Sequence, residues 1–196
     1  GSEPDSASAL YDGPIKLHDS AVISARAFGD GFRPSRTVRF NAEKAEFIPG
    51  QQNTGLRNGV SYKFHDGRFA SVDAMRASEV TRTGTMPEPS IAGAGVEDYF
   101  GYEFEGSIDV PEKAVWEFMT KSDDGSVLYI DGRKVVDNDG SHAAVAATGR
   151  IALDKGLHRF TLLYFEDYEG EELSWGWRCS GDTEFRPVPA DRLYHE

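Results

Sequence analysis

The chain has a single cysteine, Cys179, in 196 residues. No internal disulfide can form, and a lone thiol says little about compartment. Cys179 reads as a small core filler rather than a nucleophile. Bases are scarce too: 21 Lys and Arg stand against 33 Asp and Glu, for a formal net charge of −12. Nucleic acid and an anionic membrane surface both demand a basic face, so neither is expected as a partner. No segment approaches the roughly 20 apolar residues of a membrane helix. Metalloprotease helix motif, nucleotide-binding glycine loop and zinc pattern of Cys and His are all missing. So are a long amphipathic helix and an internal repeat. No signal peptide is visible. The opening Gly1-Ser2 reads as an expression scar or an internal starting point, so export cannot be read directly.

What is present suits β-structure. Hydrophobic residues make up 39% and aromatics 12%, enough for a packed core in one sizeable domain or two small ones. Turn signals recur at Asn58-Gly59, Asp66-Gly67, Asp124-Gly125, Asp131-Gly132, Asp139-Gly140 and Lys155-Gly156, with strand-like runs between them. That spacing predicts an all-β, antiparallel sandwich or barrel-like domain over residues 47–196. Alternation marks strands at 115–120, 127–130, 158–164 and 173–177, with Trp116, Phe118, Leu128, Ile130, Phe160, Leu162, Leu173 and Trp175 largely buried. Ser71 to Ser78 reads as a short helical turn. Residues 1–46 form a separate β-fragment, in which Ala21 to Phe28 alternates like a strand and Thr37 to Phe40 pairs back. About 45 residues are marginal for an independent core. Residues 47–53 read as a linker.

The densest stretch is Ser122-Asp123-Asp124-Gly125-Ser126-Val127-Leu128-Tyr129-Ile130-Asp131-Gly132. Val127 to Ile130 is a half-buried strand, Asp131-Gly132 a two-residue hairpin turn, and Lys134-Val135-Val136 the return strand. Asp123 and Asp124 therefore sit at a strand mouth. Their mutual repulsion can be relieved by an oxygen-coordinated cation or by water. Turn chemistry alone also accounts for the pair, with Asp124-Gly125 turning the chain and Asp123 capping an N–H.

This stretch resembles the core of the protective-antigen-type domain, which recurs in flocculins and bacterial glycosidases. The resemblance begins at Gly55-Leu56-Arg57 and runs through Tyr99 to Gly106 and Val135 to His142. It continues through Gly149 to Leu153, Gly156-Leu157-His158 and Leu163 to Glu166, and closes at Leu173-Ser174-Trp175 and Pro189 to Leu193. In the flocculin branch the matching Asp pair, joined by a cis peptide bond, binds calcium, and the calcium ligates sugar hydroxyls. The resemblance thus implies calcium at Asp123 and Asp124. A second ligand loop falls on Glu166 to Glu172, where Glu166 or Asp167 stands in the region of the family's Asn. The plain alternative for this loop is a solvated acidic hairpin.

Tyr168, in mid-loop, offers an aromatic face to the C–H face of a pyranose. Trp175 and Trp177 share one strand face with Leu173 and read as core. Asn138 and His142, in the loop from Asp137 to His142, could meet sugar hydroxyls or form a plain turn. Glu97-Asp98 is a carboxylate pair, but glycosidase carboxyls lie about 5–10 Å apart across a cleft, which sequence neighbours seldom provide.

Residues 1–46 resemble the C-terminal β-domain of chitobiases and β-hexosaminidases, through Tyr11 to Leu17, Ile23 to Phe28 and Ser35. Together the two resemblances imply a non-catalytic, carbohydrate-binding accessory module of a larger exported glycosidase, β-N-acetylhexosaminidase-like. Its partners would be a glycan, amino-sugar-containing for such a parent, and the parent's catalytic domain, in an extracellular or periplasmic setting. The alternative is a structural spacer or protein–protein contact domain without sugar affinity. A third reading makes the domain a hydrolase through Glu97-Asp98 or Glu166-Asp167.

Overall fold

The structure, a computed structural model, describes residues 2–196; Gly1 of the opening Gly1-Ser2 pair lies outside the described residues. The chain divides into two units, residues 1–46 and residues 47–196. In the first, β1 (Ala21–Ala25) pairs antiparallel with β2 (Val38–Ala42). The hairpin is expected from the alternation, but its connection is longer, because β1 stops at Ala25 rather than running to Phe28. One face carries Ala21, Ile23, Ala25, Val38, Phe40 and Ala42. None of the described residues of this unit is buried. Two strands cannot enclose a core, as the short length predicts.

The second unit is all-β apart from two short helical pieces. Its strands are β3 (Arg57–Asn58), β4 (Val60–Asp66), β5 (Arg82–Met86), β6 (Phe100–Val110), β7 (Ala114–Asp123) and β8 (Ser126–Ile130). They continue with β9 (Arg133–Asn138), β10 (Val145–Leu153), β11 (Gly156–Glu166), β12 (Glu172–Cys179), β13 (Arg186–Pro187) and β14 (Leu193–His195). A single helical turn, α1 (Val72–Arg76), falls inside the segment expected to turn, and Ser71 caps it by accepting from the Ala74 N–H. A 3₁₀ turn spans Ala190–Arg192. Among the described residues no helix is long and apolar enough to cross a membrane.

The smaller sheet has the order β10-β7-β12-β13, and the larger β3-β14-β6-β11-β8-β9, with β4 joining β6 and β5 joining β4. Every pairing between these strands is antiparallel. Inner faces meet in one aromatic-rich core. Trp116, Phe118, Trp175 and Trp177 of the small sheet pack against Phe104, Ile108, Leu128, Ile130, Phe160 and Leu162 of the large one. The Phe160 and Trp175 rings meet across the gap at 5.0 Å. Of the expected core residues only Leu173 is half-buried rather than buried, and it still packs on the core.

Two local differences have physical reasons. Central strand β11 lacks the alternation expected of 158–164, because both its faces are covered. Phe160, Leu162 and Tyr164 enter the main core, while Leu163 and Phe165 join Phe69, Val72, Met75 and Val127 in a second cluster. Residues 47–53, expected as a linker, are pinned instead. Ile48 bridges Leu153, and Gln51 exchanges N–H···O bonds with Leu157.

The hairpin between β8 and β9 turns through Asp131 (φ +47) and Gly132 (φ +75), both in the left-handed region that a two-residue turn requires. Asp131 then does more than turn the chain. Its carboxylate accepts from the Arg159 N–H at 2.9 Å and lies 2.6 Å from Nδ1 of His158, a fully buried ring. Nε2 of the same ring lies 2.9 Å from the Asp154 carbonyl oxygen. Both ring nitrogens face acceptors, which favours the imidazolium. Burial alone lowers the His158 pKa, but the Asp131 carboxylate and the Asp154 carbonyl outweigh it and leave it raised above 6.5. The pair's contribution is therefore complete below about pH 6.5 and is lost as the pH climbs through the folded-state value. Asp131→Asn should lower stability by about 2–3 kcal/mol near about pH 6 and by clearly less at about pH 9. Denaturant titrations at both pH values measure this, and an equal deficit at both removes the ion pair as its cause.

Candidate functional site

β7 belongs to the small sheet and β8 to the large one, so the chain changes sheets at Asp123-Asp124-Gly125. The crossing is tight. A Cβ on Gly125 would lie 2.3 Å from Cε1 of Phe165 and 3.0 Å from the Gly140 nitrogen, so only glycine fits without displacement. The peptide bond between Asp123 and Asp124 is cis. Below the crossing, buried hydroxyls form a chain: Ser122 Oγ lies 2.8 Å from Ser126 Oγ, and Ser126 Oγ 3.0 Å from Thr120 Oγ1.

Strand β11 ends beside the crossing at Glu166. Asp123, Asp124 and Glu166 are all buried, and one carboxylate oxygen from each lies within 4.8 Å of the others. Asp124 spends its oxygens on backbone. Oδ1 accepts from the His142 N–H at 2.7 Å; Oδ2 accepts from Asp167 at 2.7 Å and from Tyr168 at 3.3 Å. Oδ2 of Asp123 accepts from the Ala144 N–H at 3.0 Å. The loops 139–144 and 167–171 are thus hung on the Asp pair. The turn reading of these two residues covers N–H groups accepted locally, whereas here the donors stand on loops 18 to 44 residues away, and it leaves Glu166 unexplained.

Glu166 has no exposure, and among the described residues its Oε1 has no hydrogen-bond partner. Its Oε2 lies 2.8 Å from the Tyr164 hydroxyl, which is also 2.6 Å from the Asp123 carbonyl oxygen. One phenolic proton faces two acceptors, so the cluster is short of positive partners. Burial first, then the two Asp carboxylates, push the Glu166 pKa up to about 8, and burial likewise raises Asp123. The donor set is all oxygen. Ligands 2.3–2.6 Å from a central calcium lie up to about 5 Å from one another, which matches the spread of the trio. An orphaned buried oxygen and three convergent carboxyls fit a hard divalent cation.

Not every expected residue joins them. Asp167 turns away: its carboxylate pairs with Arg68 and accepts from Ser141 Oγ at 3.0 Å, and Arg68 lowers its pKa. Asn138 is buried, and its amide donates to Ser122 Oγ at 2.9 Å and to the Val145 carbonyl at 3.1 Å. It anchors the loop rather than presenting donors at the mouth. The His142 ring nitrogens lie 3.0 and 3.1 Å from the Asn138 and Ala143 carbonyl oxygens. Tyr168 is 57% exposed, as a stacking residue needs. Trp175 and Trp177 are core. Glu97 is exposed, and Asp98 accepts from the Glu169 N–H at 3.1 Å. Arg68 and Tyr99 border the site without having been singled out in the sequence, while Ser141 lies in the loop from Asp137 to His142 that the sequence marks. Their roles depend on contacts across 26 to 99 residues of chain, which no local pattern encodes.

The sequence profile described as "PA14 domain" matches residues 56–191, and that described as "Fn3 associated" matches residues 1–41. The second is not the chitobiase-type description expected for that block. No curated protein matches the chain in sequence. Among solved structures, the chain is similar to an anti-sigma factor domain-containing protein from Clostridium clariflavum, with TM-score 0.58 and 20% identity over 70% of this chain. The match spans 47% of that protein's chain, and 47% of a second protein of the same description. It is similar to a PA14 sugar-binding domain from an RTX adhesin, with TM-score 0.56 and 17% identity over 71% of this chain and 99% of that one. A third likeness is to the epithelial adhesin 6 A domain from Candida glabrata in complex with Galβ1-3GlcNAc. Here the TM-score is 0.54 with 12% identity over 72% of this chain and 88% of that one.

Because a methyl group at residue 125 must displace Phe165 or the loop at Gly140, Gly125→Ala should cost about 1–3 kcal/mol. Thermal melts of the two proteins check this, and an unchanged Tm would show that the crossing tolerates a side chain.

Proposed function

The chain belongs to the PA14 domain family, and on that premise we propose that residues 47–196 form a non-catalytic carbohydrate-binding module whose site is centred on Asp123, Asp124 and Glu166 and takes calcium. The observation that carries this reading is the orphaned, fully buried Glu166 oxygen facing two further buried carboxylates. A bound calcium would neutralise the trio and offer open positions to vicinal sugar hydroxyls. Tyr168 would supply the apolar contact to the ring, with His142 at the opposite loop. Similar solved structures described as sugar-binding, or as holding Galβ1-3GlcNAc, support a glycan ligand, including one with an amino sugar.

We further propose that the module works outside the cell or in the cell envelope, beside a catalytic domain of a larger glycosidase. Support for a β-N-acetylhexosaminidase-type parent is the resemblance of residues 1–46 alone. The module itself should release no phenol from an aryl N-acetylglucosaminide. Turnover that disappears on Glu97→Gln would contradict this.

Asp124 carries three backbone N–H groups as well as a ligand oxygen, so Asp124→Ala removes loops and site together. Glu166→Gln keeps the shape and removes the carboxyl that would ionise onto a cation. Millimolar calcium should raise the wild-type Tm by several degrees, since a hundredfold excess over Kd is worth about 2.7 kcal/mol. The rise should vanish in both variants. Glycan-array signals in calcium should fall in chelator and in Glu166→Gln. A Tm indifferent to calcium and chelator would leave the Asp pair as turn residues, and silence on a broad array would favour the spacer reading.

A further inference from the structure

We propose that Tyr99, held by Arg68, is an outer wall of this glycan site and packs against the second sugar residue of a bound oligosaccharide. The inference rests on the reading that this end of the sandwich binds a glycan. Tyr99 immediately precedes β6 and has φ +62. A residue with a Cβ pays roughly 1–2 kcal/mol for left-handed backbone, and a bulky aromatic is among the least suited to it. Glycine would avoid that cost, so an aromatic ring at this φ points to a task. The ring is not buried to meet a packing need, since Tyr99 is 41% exposed.

Tyr99 is also fixed relative to the carboxylates. Its carbonyl accepts from the Gly67 N–H at 2.8 Å, and neighbouring Asp98 accepts from Glu169 at 3.1 Å. The Arg68 guanidinium lies 5.6 Å from the Tyr99 ring centroid, a cation–π distance. Arg68 pairs with Asp167, whose N–H bonds Asp124. A continuous chain of polar contacts therefore runs from the site carboxylate to the aromatic ring. Tyr168 stands one step nearer, with its own N–H 3.3 Å from Asp124. Two exposed aromatics tied to one polar centre, one directly through its N–H and one through Arg68 and Asp167, suit two successive pyranose residues. The first is held by hydroxyls at the carboxylates and lies beside Tyr168; the next lies against Tyr99.

The backbone conformation makes a clean test available, because Tyr99→Gly removes the ring while relieving the φ. Its Tm should be no lower than that of the wild type. Wild type, Tyr99→Gly and Tyr99→Phe are compared, in calcium, on an array carrying monosaccharides together with their di- and trisaccharide extensions. Tyr99→Gly should bind the extended glycans about tenfold more weakly and any monosaccharide as the wild type does, while Tyr99→Phe binds as the wild type throughout. Unchanged binding of extended glycans by Tyr99→Gly, or an equal loss on monosaccharides, overturns the inference and leaves the glycan reading standing. Absence of any glycan binding by the wild type overturns both.

Discussion

Three backbone N–H groups converge on the carboxylate of Asp124, one from His142 and two from Asp167 and Tyr168. Both loops at this end of the sandwich take their positions from that convergence. Hydrogen bonds to a charged acceptor are stronger than neutral ones, and leaving such a group unpaired in the interior is costly. Once Asp124 is buried at the sheet crossing, the loops must come to it. Their arrival closes Asp123 and Glu166 into the same space. The acidic trio is thus a consequence of how the sandwich is closed.

The same geometry separates neighbours that are equivalent in sequence. Glu166 is the last residue of β11 and lies against the crossing; Asp167, one position on, leaves the strand and finds Arg68. An inward strand end and an outward loop start are opposite environments. One carboxyl therefore has its pKa raised by burial, while the other has it lowered by a guanidinium. Asn138 shows the converse. It ends β9 at the loop that reaches the site, yet it closes the interior by donating to Ser122 and Val145.

Much of this was legible in the chain itself. Alternation around Trp116, Phe118, Phe160 and Trp175 marks the strands, and Asp131-Gly132 marks the hairpin, because both signals are local. The Asp pair and the acidic loop were visible for the same reason. The choice between Glu166 and Asp167 was not, since it depends on where β11 ends against β7. The double burial of β11 was equally hidden, because its second cover comes from α1, some 90 residues upstream. Tyr99 carries no mark of its left-handed backbone in its residue type, and its link to the site passes through Arg68.

The central claim is that the trio holds one hard cation, and terbium luminescence tests it most directly. Terbium takes calcium-type oxygen sites and emits when an excited aromatic lies close, and the Tyr164 hydroxyl stands 2.8 Å from Glu166. Sensitised emission that saturates at one ion per chain, is displaced by calcium and is lost in Glu166→Gln is the predicted result. Absence of sensitised emission, or emission that survives Glu166→Gln unchanged, would contradict it.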